Sequence, residues 1–145
     1  MQRPYTQCTH AHKMNIIKET FDKSEKLCSR KSMDMLFETG NIFHNSLFKV
    51  VWDKVQNPIQ SPAQVAFSVS KRGFRLAVTR NLIKRRMREA YRRNKSVLYS
   101  HLLSQNLQIV FIVIIKGNSV PDYLTIEKSV RDLINKLIVL TAGTE

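Results

Sequence analysis

The first regular pattern in the chain is helical. Met33, Leu36 and Phe37 recur at helical spacing ahead of Gly40, which stands where a C-cap glycine belongs, and this predicts a short helix over residues 30–38. The period then changes to two. Phe48, Val50 and Trp52 alternate with Leu47, Lys49, Val51 and Asp53, so residues 41–55 read as extended. Asn57-Pro58 and Ser61-Pro62 make residues 56–64 a loop, and residues 65–69 form a second extended run. Ile83, Met87, Ala90 and Tyr91 share one helical face within residues 71–95. Residues 107–115, with a continuous apolar run from Ile109 to Ile115, fit a buried strand closed by Gly117. Pro121-Asp122 opens a last helix striped by Ile126, Val130, Leu133, Ile134 and Leu137. The order α-β-β-β-α-β-α predicts an α+β fold, a two-layer α/β sandwich with a small mixed sheet. One domain is expected over residues 21–140. Residues 1–20 show no apolar period and read as a loose tail, as do residues 141–145. Met14 is a candidate natural start, which would make residues 1–13 dispensable.

Charge changes this picture most. The 145 residues hold 24 Lys and Arg against 11 Asp and Glu, for a formal net charge of +13. Such a balance points to a polyanionic partner: nucleic acid, an anionic membrane or an acidic protein. The charge is also concentrated. Residues 71–95 hold Lys71, Arg72, Arg75, Arg80, Lys84, Arg85, Arg86, Arg88, Arg92, Arg93 and Lys95, with Glu89 as the only acid. Arg80, Lys84, Arg88 and Arg92 form an uninterrupted i, i+4 series, which repels itself by a few tenths of a kcal/mol per pair, ~0.2–0.5. A phosphate backbone offsets that repulsion, and the planar guanidinium fork suits bidentate phosphate contact. Two alternatives stand beside this: a solvated helix in which Glu89 bridges Arg85 and Arg93, and a membrane-surface helix. The second needs an apolar face rich in Trp, Phe and Leu, which Ile83, Met87, Ala90 and Tyr91 do not supply.

The two cysteines, Cys8 and Cys28, make no disulfide framework and read as free thiols in a reducing compartment. The longest apolar run is too short to span a bilayer, and the N-terminus lacks the apolar core of a secretory signal. A soluble, cytoplasmic protein without a membrane partner is expected.

The central sequence carries a resemblance. Phe67-Ser68-Val69-Ser70-Lys71-Arg72, followed by Ala77-Val78-Thr79-Arg80-Asn81-Leu82-Ile83-Lys84-Arg85-Arg86-Met87-Arg88-Glu89-Ala90-Tyr91-Arg92, resembles the signature of the bacterial ribonuclease P protein family. That family has a strand ending in Ser-Val-Ser/Pro-Lys-Lys/Arg and then a helix opening with Arg-Asn-Arg-Ile-Lys-Arg. Phe21, Lys26-Leu27 and the short helix ending at Gly40 are similar to its N-terminal pattern. Asn45 and Phe48 are similar to its first strand pair, and residues 107–117 to its hydrophobic strand; the likeness covers about residues 21–138. The chain departs from the pattern at Leu82 (the second motif arginine), at Lys26, at Met33 and over Gly73-Phe74-Arg75-Leu76.

The resemblance implies a ribosomal protein S5 domain 2-like fold and a role as the protein subunit of a ribonucleoprotein endonuclease that matures the 5′ end of tRNA. It implies that the RNA subunit, with Mg²⁺, carries the chemistry, and that no obligate protein partner is needed. It places Lys71, Arg72, Arg80, Asn81, Lys84, Arg85, Arg88 and Arg92 against the catalytic RNA. A cleft between the first helix and the exposed sheet face would hold the single-stranded leader of precursor tRNA. Met33 and Phe37 would present to it, with Lys26, Lys31 and Lys49 as basic flanks and Val51 beside Lys49 as floor. The alternative for Met33 and Phe37 is simple packing onto the core. No protein active site assembles from the sequence. Cys8, His10 and His12 lie in the tail without a second cluster, His44 and His101 lack an evident carboxylate partner, and Glu89 is alone among bases. A structural RNA-binding protein of ribosomal type and a DNA-binding regulator remain the competing functions.

Overall fold

A computed structural model describes residues 20–55 and 58–142; the expected tail over 1–19, with its Cys-His cluster and Met14, lies outside the described residues. After a single 3-10 turn at Lys23–Glu25 the elements are α1 (Arg30–Thr39), β1 (Asn41–His44), β2 (Phe48–Lys54), β3 (Ala63–Ser68), α2 (Ala77–Ser104), β4 (Ile109–Ile115) and α3 (Tyr123–Ala142). The strands form one mixed sheet in the order β1-β2-β4-β3. β1–β2 and β2–β4 are antiparallel, and β3–β4 is parallel.

Local chemistry explains the joints. Ser29 caps α1, its hydroxyl accepting from the Ser32 N–H at 3.2 Å. Gly40 ends α1 because nothing larger fits there. A Cβ would lie 2.5 Å from the Leu36 carbonyl oxygen and 2.9 Å from Val51 Cγ1. Asn45 builds the β1–β2 hairpin. Its Oδ1 accepts from the N–H groups of Leu47 (2.9 Å) and Phe48 (2.7 Å), and its Nδ2 donates to the Ser129 carbonyl of α3 at 3.0 Å. A parallel pair of neighbouring strands needs a long crossover, and α2 supplies it between β3 and β4.

One sheet face is fully covered. Phe48, Val50, Trp52, Val65, Phe111 and Val113 pack there against Ile83, Met87, Ala90 and Tyr91 of α2 and Ile126, Val130, Leu133 and Leu137 of α3. α2 and α3 run side by side, joined by Arg86 Nη1 to the Pro121 carbonyl (2.7 Å), Asn94 Nδ2 to Glu127 (3.2 Å) and His101 Nε2 with the Thr141 hydroxyl (2.9 Å). Among the described residues the opposite face carries α1 and Leu27, with Leu36 and Leu27 buried on Val51 and Ile112. The architecture is thus the expected two-layer sandwich, with α1 laid over part of the second face.

Several boundaries differ from expectation: β3 already starts at Ala63, inside the expected loop, and β4 only at Ile109. The predicted helix ended near residue 95, whereas α2 continues to Ser104 and is about 42 Å long at 1.5 Å per residue. The expected tail from residue 141 is helical through Ala142, with Thr141 buried. Thr20, counted with the loose tail, has its carbonyl bound by the Lys95 ammonium. No helix among the described residues is long and apolar enough to cross a membrane.

Gly40→Ala should cost about 1–3 kcal/mol, because the added methyl must push on backbone oxygen and a buried valine together. A denaturant titration checks this. An unchanged midpoint would show that α1 is free to shift off β2.

Candidate nucleic-acid interface

α2 buries the stripe predicted for it and turns its other side to solvent. Lys71, Arg72, Asn81, Arg85 and Arg88 are exposed, and Arg80, Lys84 and Arg92 are half-buried. Helical spacing puts Asn81, Lys84 and Arg88 in one row that continues into Tyr91, Lys95 and Tyr99. The helix begins at Leu76 without a side-chain cap and has no acid in its first turn, so the positive end of its dipole adds to the field of Lys71, Arg72 and Arg75. The loop before α2 is braced. Gly73 lies so close to Gly117 that a Cβ would sit 2.6 Å from its carbonyl oxygen, and Phe74 is buried.

Several basic residues have work inside the chain. Arg80 Nη1 donates to the carbonyls of Phe74 (2.8 Å) and Arg75 (2.7 Å), so its guanidinium closes the turn into α2. Glu89 pairs with Arg92 at 2.7 Å and with Arg93 at 3.6 Å; of the two bridges in the solvated-helix alternative, the one to Arg93 forms and none to Arg85 is seen among the described residues. The hydrogen bond from Arg92 holds the Glu89 carboxyl below the usual carboxylate range. Lys95, which the sequence counts with the basic patch, is 1% exposed and paired with Glu25, so it lends nothing to the surface. Leu82, at the motif's second arginine position, is half-buried.

The leader-side residues are divided. Strand register sets two rows across the less covered face: His44, Lys49, Ile114, Ser68, and Ile42, Val51, Ile112, Ala66. Lys49 is half-buried in the first row. Val51, expected as cleft floor, is 1% exposed, because Leu36 of α1 sits over it; it supports the cleft from below and offers no contact surface. Met33 is half-buried against the same apolar cluster. Phe37 is 53% exposed, so packing onto the core does not account for its ring, while Lys31 is exposed on the same helix. Lys26 is not with them. It bridges Val65 at the outer edge of β3, and paired residues point to one face, which here is that of α2. Its ammonium lies 5.7 Å from the centroid of Phe21.

Phe21 itself was legible only as part of a family pattern. The structure sets its ring at 5.9 Å from Tyr91 and 6.1 Å from Phe67, beside the basic row. A groove of about 360 Å³ at the other side of α1, lined by Ser32, Met35, Thr39, Gln64 and Val110, had no sequence signal, because it is made by the gap between a short helix and a wider sheet. Among the described residues no three His, Cys, Asp or Glu side chains are grouped to hold a metal ion.

The sequence matches the family Ribonuclease P over residues 21–138. It is 31% identical over 121 residues to the ribonuclease P protein component of Porphyromonas gingivalis strain ATCC 33277, covering 83% of this chain and 85% of that one. It is 30% identical over 125 residues to the ribonuclease P protein component of Chlorobium phaeobacteroides, covering 79% and 86%. In fold it is similar to the RNase P protein from Thermotoga maritima, with TM-score 0.62, 23% identity and coverage of 77% and 96%. The Staphylococcus aureus RNase P protein gives TM-score 0.59 at 22% identity, with coverage of 79% and 95%.

The two arginines should separate on mutation. Arg88→Ala should weaken RNA binding and leave the melting temperature unchanged, because Arg88 is exposed and has no partner among the described residues. Arg80→Ala should weaken binding and also cost about 1–2 kcal/mol of stability, through two lost carbonyl contacts. Calorimetry beside a filter-binding assay checks both. Equal stability of the two variants would mean that Arg80 does not close the turn.

Proposed function

The chain belongs to the ribonuclease P protein family, and we propose on that ground that it is the protein subunit of ribonuclease P. In this reading it binds the enzyme's RNA subunit and the 5′ leader of precursor tRNA, in the cytoplasm, and promotes endonucleolytic maturation of the tRNA 5′ end. The observation that carries the reading is the exposed basic side of α2, where Asn81, Arg85 and Arg88 are exposed and Lys84 is half-buried, away from the core stripe. Arginine and lysine in a row along a rigid helix match a line of phosphates, and the helix needs no movement to present them.

The reaction itself belongs, in this reading, with the RNA and its Mg²⁺. Among the described residues no three metal-ligating side chains are grouped to hold an ion. What this chain supplies is positioning: the basic side of α2 docks on the RNA subunit, and the α1 face with Phe37, Lys31 and Lys49 receives the single strand. Phe37 offers a half-open ring on which a base can stack, and Lys31, exposed on α1, and Lys49, half-buried on β2, supply positive charge for its phosphates.

Binding to the RNA subunit should fall steeply with salt. With about five phosphates neutralised, the log–log slope should be roughly −3 to −5. A flat salt titration would remove the electrostatic basis of the reading. On the substrate side, Phe37→Ala should weaken holoenzyme binding of precursor tRNA by about 1 kcal/mol relative to mature tRNA, without lowering the melting temperature. Met33→Ala, which opens the apolar cluster under α1, should instead lower stability by about 1–2 kcal/mol. Equal loss for both tRNAs in Phe37→Ala would take this ring out of the leader path.

A further inference from the structure

Two opposite charges are buried beside α2, where its basic row passes under residues 20–25. Lys95 is 1% exposed and Glu25 is 5% exposed. The Lys95 ammonium donates to Glu25 Oε1 and to the Thr20 carbonyl. The Tyr99 hydroxyl donates to the same carboxylate oxygen at 2.6 Å, and the Asp22 N–H donates to the other at 2.9 Å. Burial pushes the Tyr99 phenol far above its ordinary range, so it stays a neutral donor. One residue before Glu25, the Ser24 carbonyl accepts from the Ser61 hydroxyl at 3.0 Å and from Gln64 Nε2 at 3.1 Å. Residues 20–25 are therefore fastened both to α2 and to the start of β3.

A buried ion pair is an expensive fastener. Apolar side chains of similar volume in the same place are often as stable or more so. What the pair adds is direction, and direction matters for this segment. Its backbone joins β3 through the Lys26–Val65 bridge and the bond from the Leu27 N–H to the Val65 carbonyl at 3.0 Å, beside the Gln64 side-chain bond to Ser24. Leu27 is buried with Leu36, Val51 and Ile112, while Lys26 points outward over Phe21. A slip by one residue exchanges the two faces, burying Lys26 and exposing Leu27. So short a pairing sets its own register weakly. The Glu25 carboxylate, locked to Lys95 and Tyr99 on a rigid helix, sets it instead.

The register has a consequence for RNA. Lys95 and Tyr99 lie on the same side of α2 as Asn81, Lys84, Arg88 and Tyr91, and Phe21 packs edge-on against Tyr91. The fastened segment therefore sets an aromatic ring and an ammonium beside the basic row, at the edge of β3. A ring flanked by positive charge is the combination that holds a single strand. We propose that Glu25, Lys95 and Tyr99 are positioning residues: they hold the register of residues 21–27 so that Phe21 and Lys26 carry the RNA surface from α2 around the β3 edge and there meet the leader strand. This rests on the leader-binding function proposed above.

The test uses holoenzyme reconstituted with the RNA subunit and reads the ratio of affinities for precursor and mature tRNA. Lys26→Ala is the reference and should lower that ratio about fivefold. The all-apolar replacement Glu25→Leu/Lys95→Met/Tyr99→Phe removes every directional bond to the triad at similar volume. It should lower the ratio by a similar factor, keep or raise the melting temperature, and leave affinity for the RNA subunit within about twofold. If Lys26→Ala lowers the ratio while the folded triple variant keeps it, the positioning role is overturned. If Lys26→Ala leaves the ratio at the wild-type value, the leader contact at Lys26 is what fails, and the positioning role falls with it. Should the triple variant not fold, Tyr99→Phe decides. It deletes one hydroxyl and should lower the ratio about twofold at near-native stability, and an unchanged ratio there also overturns the proposal.

Discussion

Everything in this fold is arranged around the need to cover β4 on both sides. Its seven residues, Ile109–Ile115, are all apolar, and it lies inside the sheet between β2 and β3. A strand with no polar face cannot leave either side to water. α2 and α3 together seal one side over its whole length, with Ile109, Phe111, Val113 and Ile115 beneath them. Among the described residues the other side has Leu27 and the ten residues of α1, anchored by Leu36 over Val51 and Ile112. Val110 and Ile114 stay partly open at either end of that footprint. The cleft is what remains when a short helix covers a sheet wider than itself. Its apolar ground and its polar rim, His44, Lys49 and Ser68 in one row, follow from strand alternation alone.

The same constraint frees the outer side of α2. With α3 packed alongside and β3–β4 beneath, α2 holds its place through Ile83, Met87, Ala90, Tyr91, Leu98 and Leu102. Its remaining surface has no part in the core and can carry like charges at a cost of a few tenths of a kcal/mol per pair, ~0.2–0.5. A marginal helix would fray under that repulsion. This one is 28 residues long and packed on two elements, so rigid support and unbalanced charge are compatible.

Periodicity made most of this legible. The strand alternation around Trp52, the apolar run of β4 and the stripe of α3 were readable because each element repeats its burial pattern over several turns or pleats. The misreadings have one cause each. α2 looked finished near residue 95 because Lys95 occupies a core position between Tyr91 and Leu98, and a buried lysine reads as a surface one unless its partner is known. That partner, Glu25, lies 70 residues away in sequence. Val51 was assigned to the open face correctly by alternation, but no pattern in the sequence says which residue Leu36 will cover. Lys26 was expected as a cleft flank beside Lys31 and Lys49, whereas its bridge to Val65 turns it to the other face. Arg80, expected against RNA, also closes the turn into α2, and its bonds to the Phe74 and Arg75 carbonyls are contacts that no side-chain pattern announces.

The distribution of internal partners also gives the basic side a boundary. Arg86 is tied to Pro121, Arg92 and Arg93 share Glu89, and Lys95 is committed to Glu25. Among the described residues, no ion pair within the chain reaches Lys71, Arg72, Lys84, Arg85 or Arg88. Uncompensated charge is thus confined to the loop before α2 and its first three turns, where the helix dipole also points its positive end. Past residue 88 each cation has an acid or a carbonyl to answer it, and the local field weakens. A line of phosphates laid along the helix gains most at the N-terminal half and little beyond it. The strongest attraction therefore lies next to the braced turn at Gly73 and Phe74, where the backbone is held from both sides and the charges are least free to move. Charge placed on such a support loses little conformational entropy when a phosphate arrives, so more of the electrostatic gain is retained as affinity.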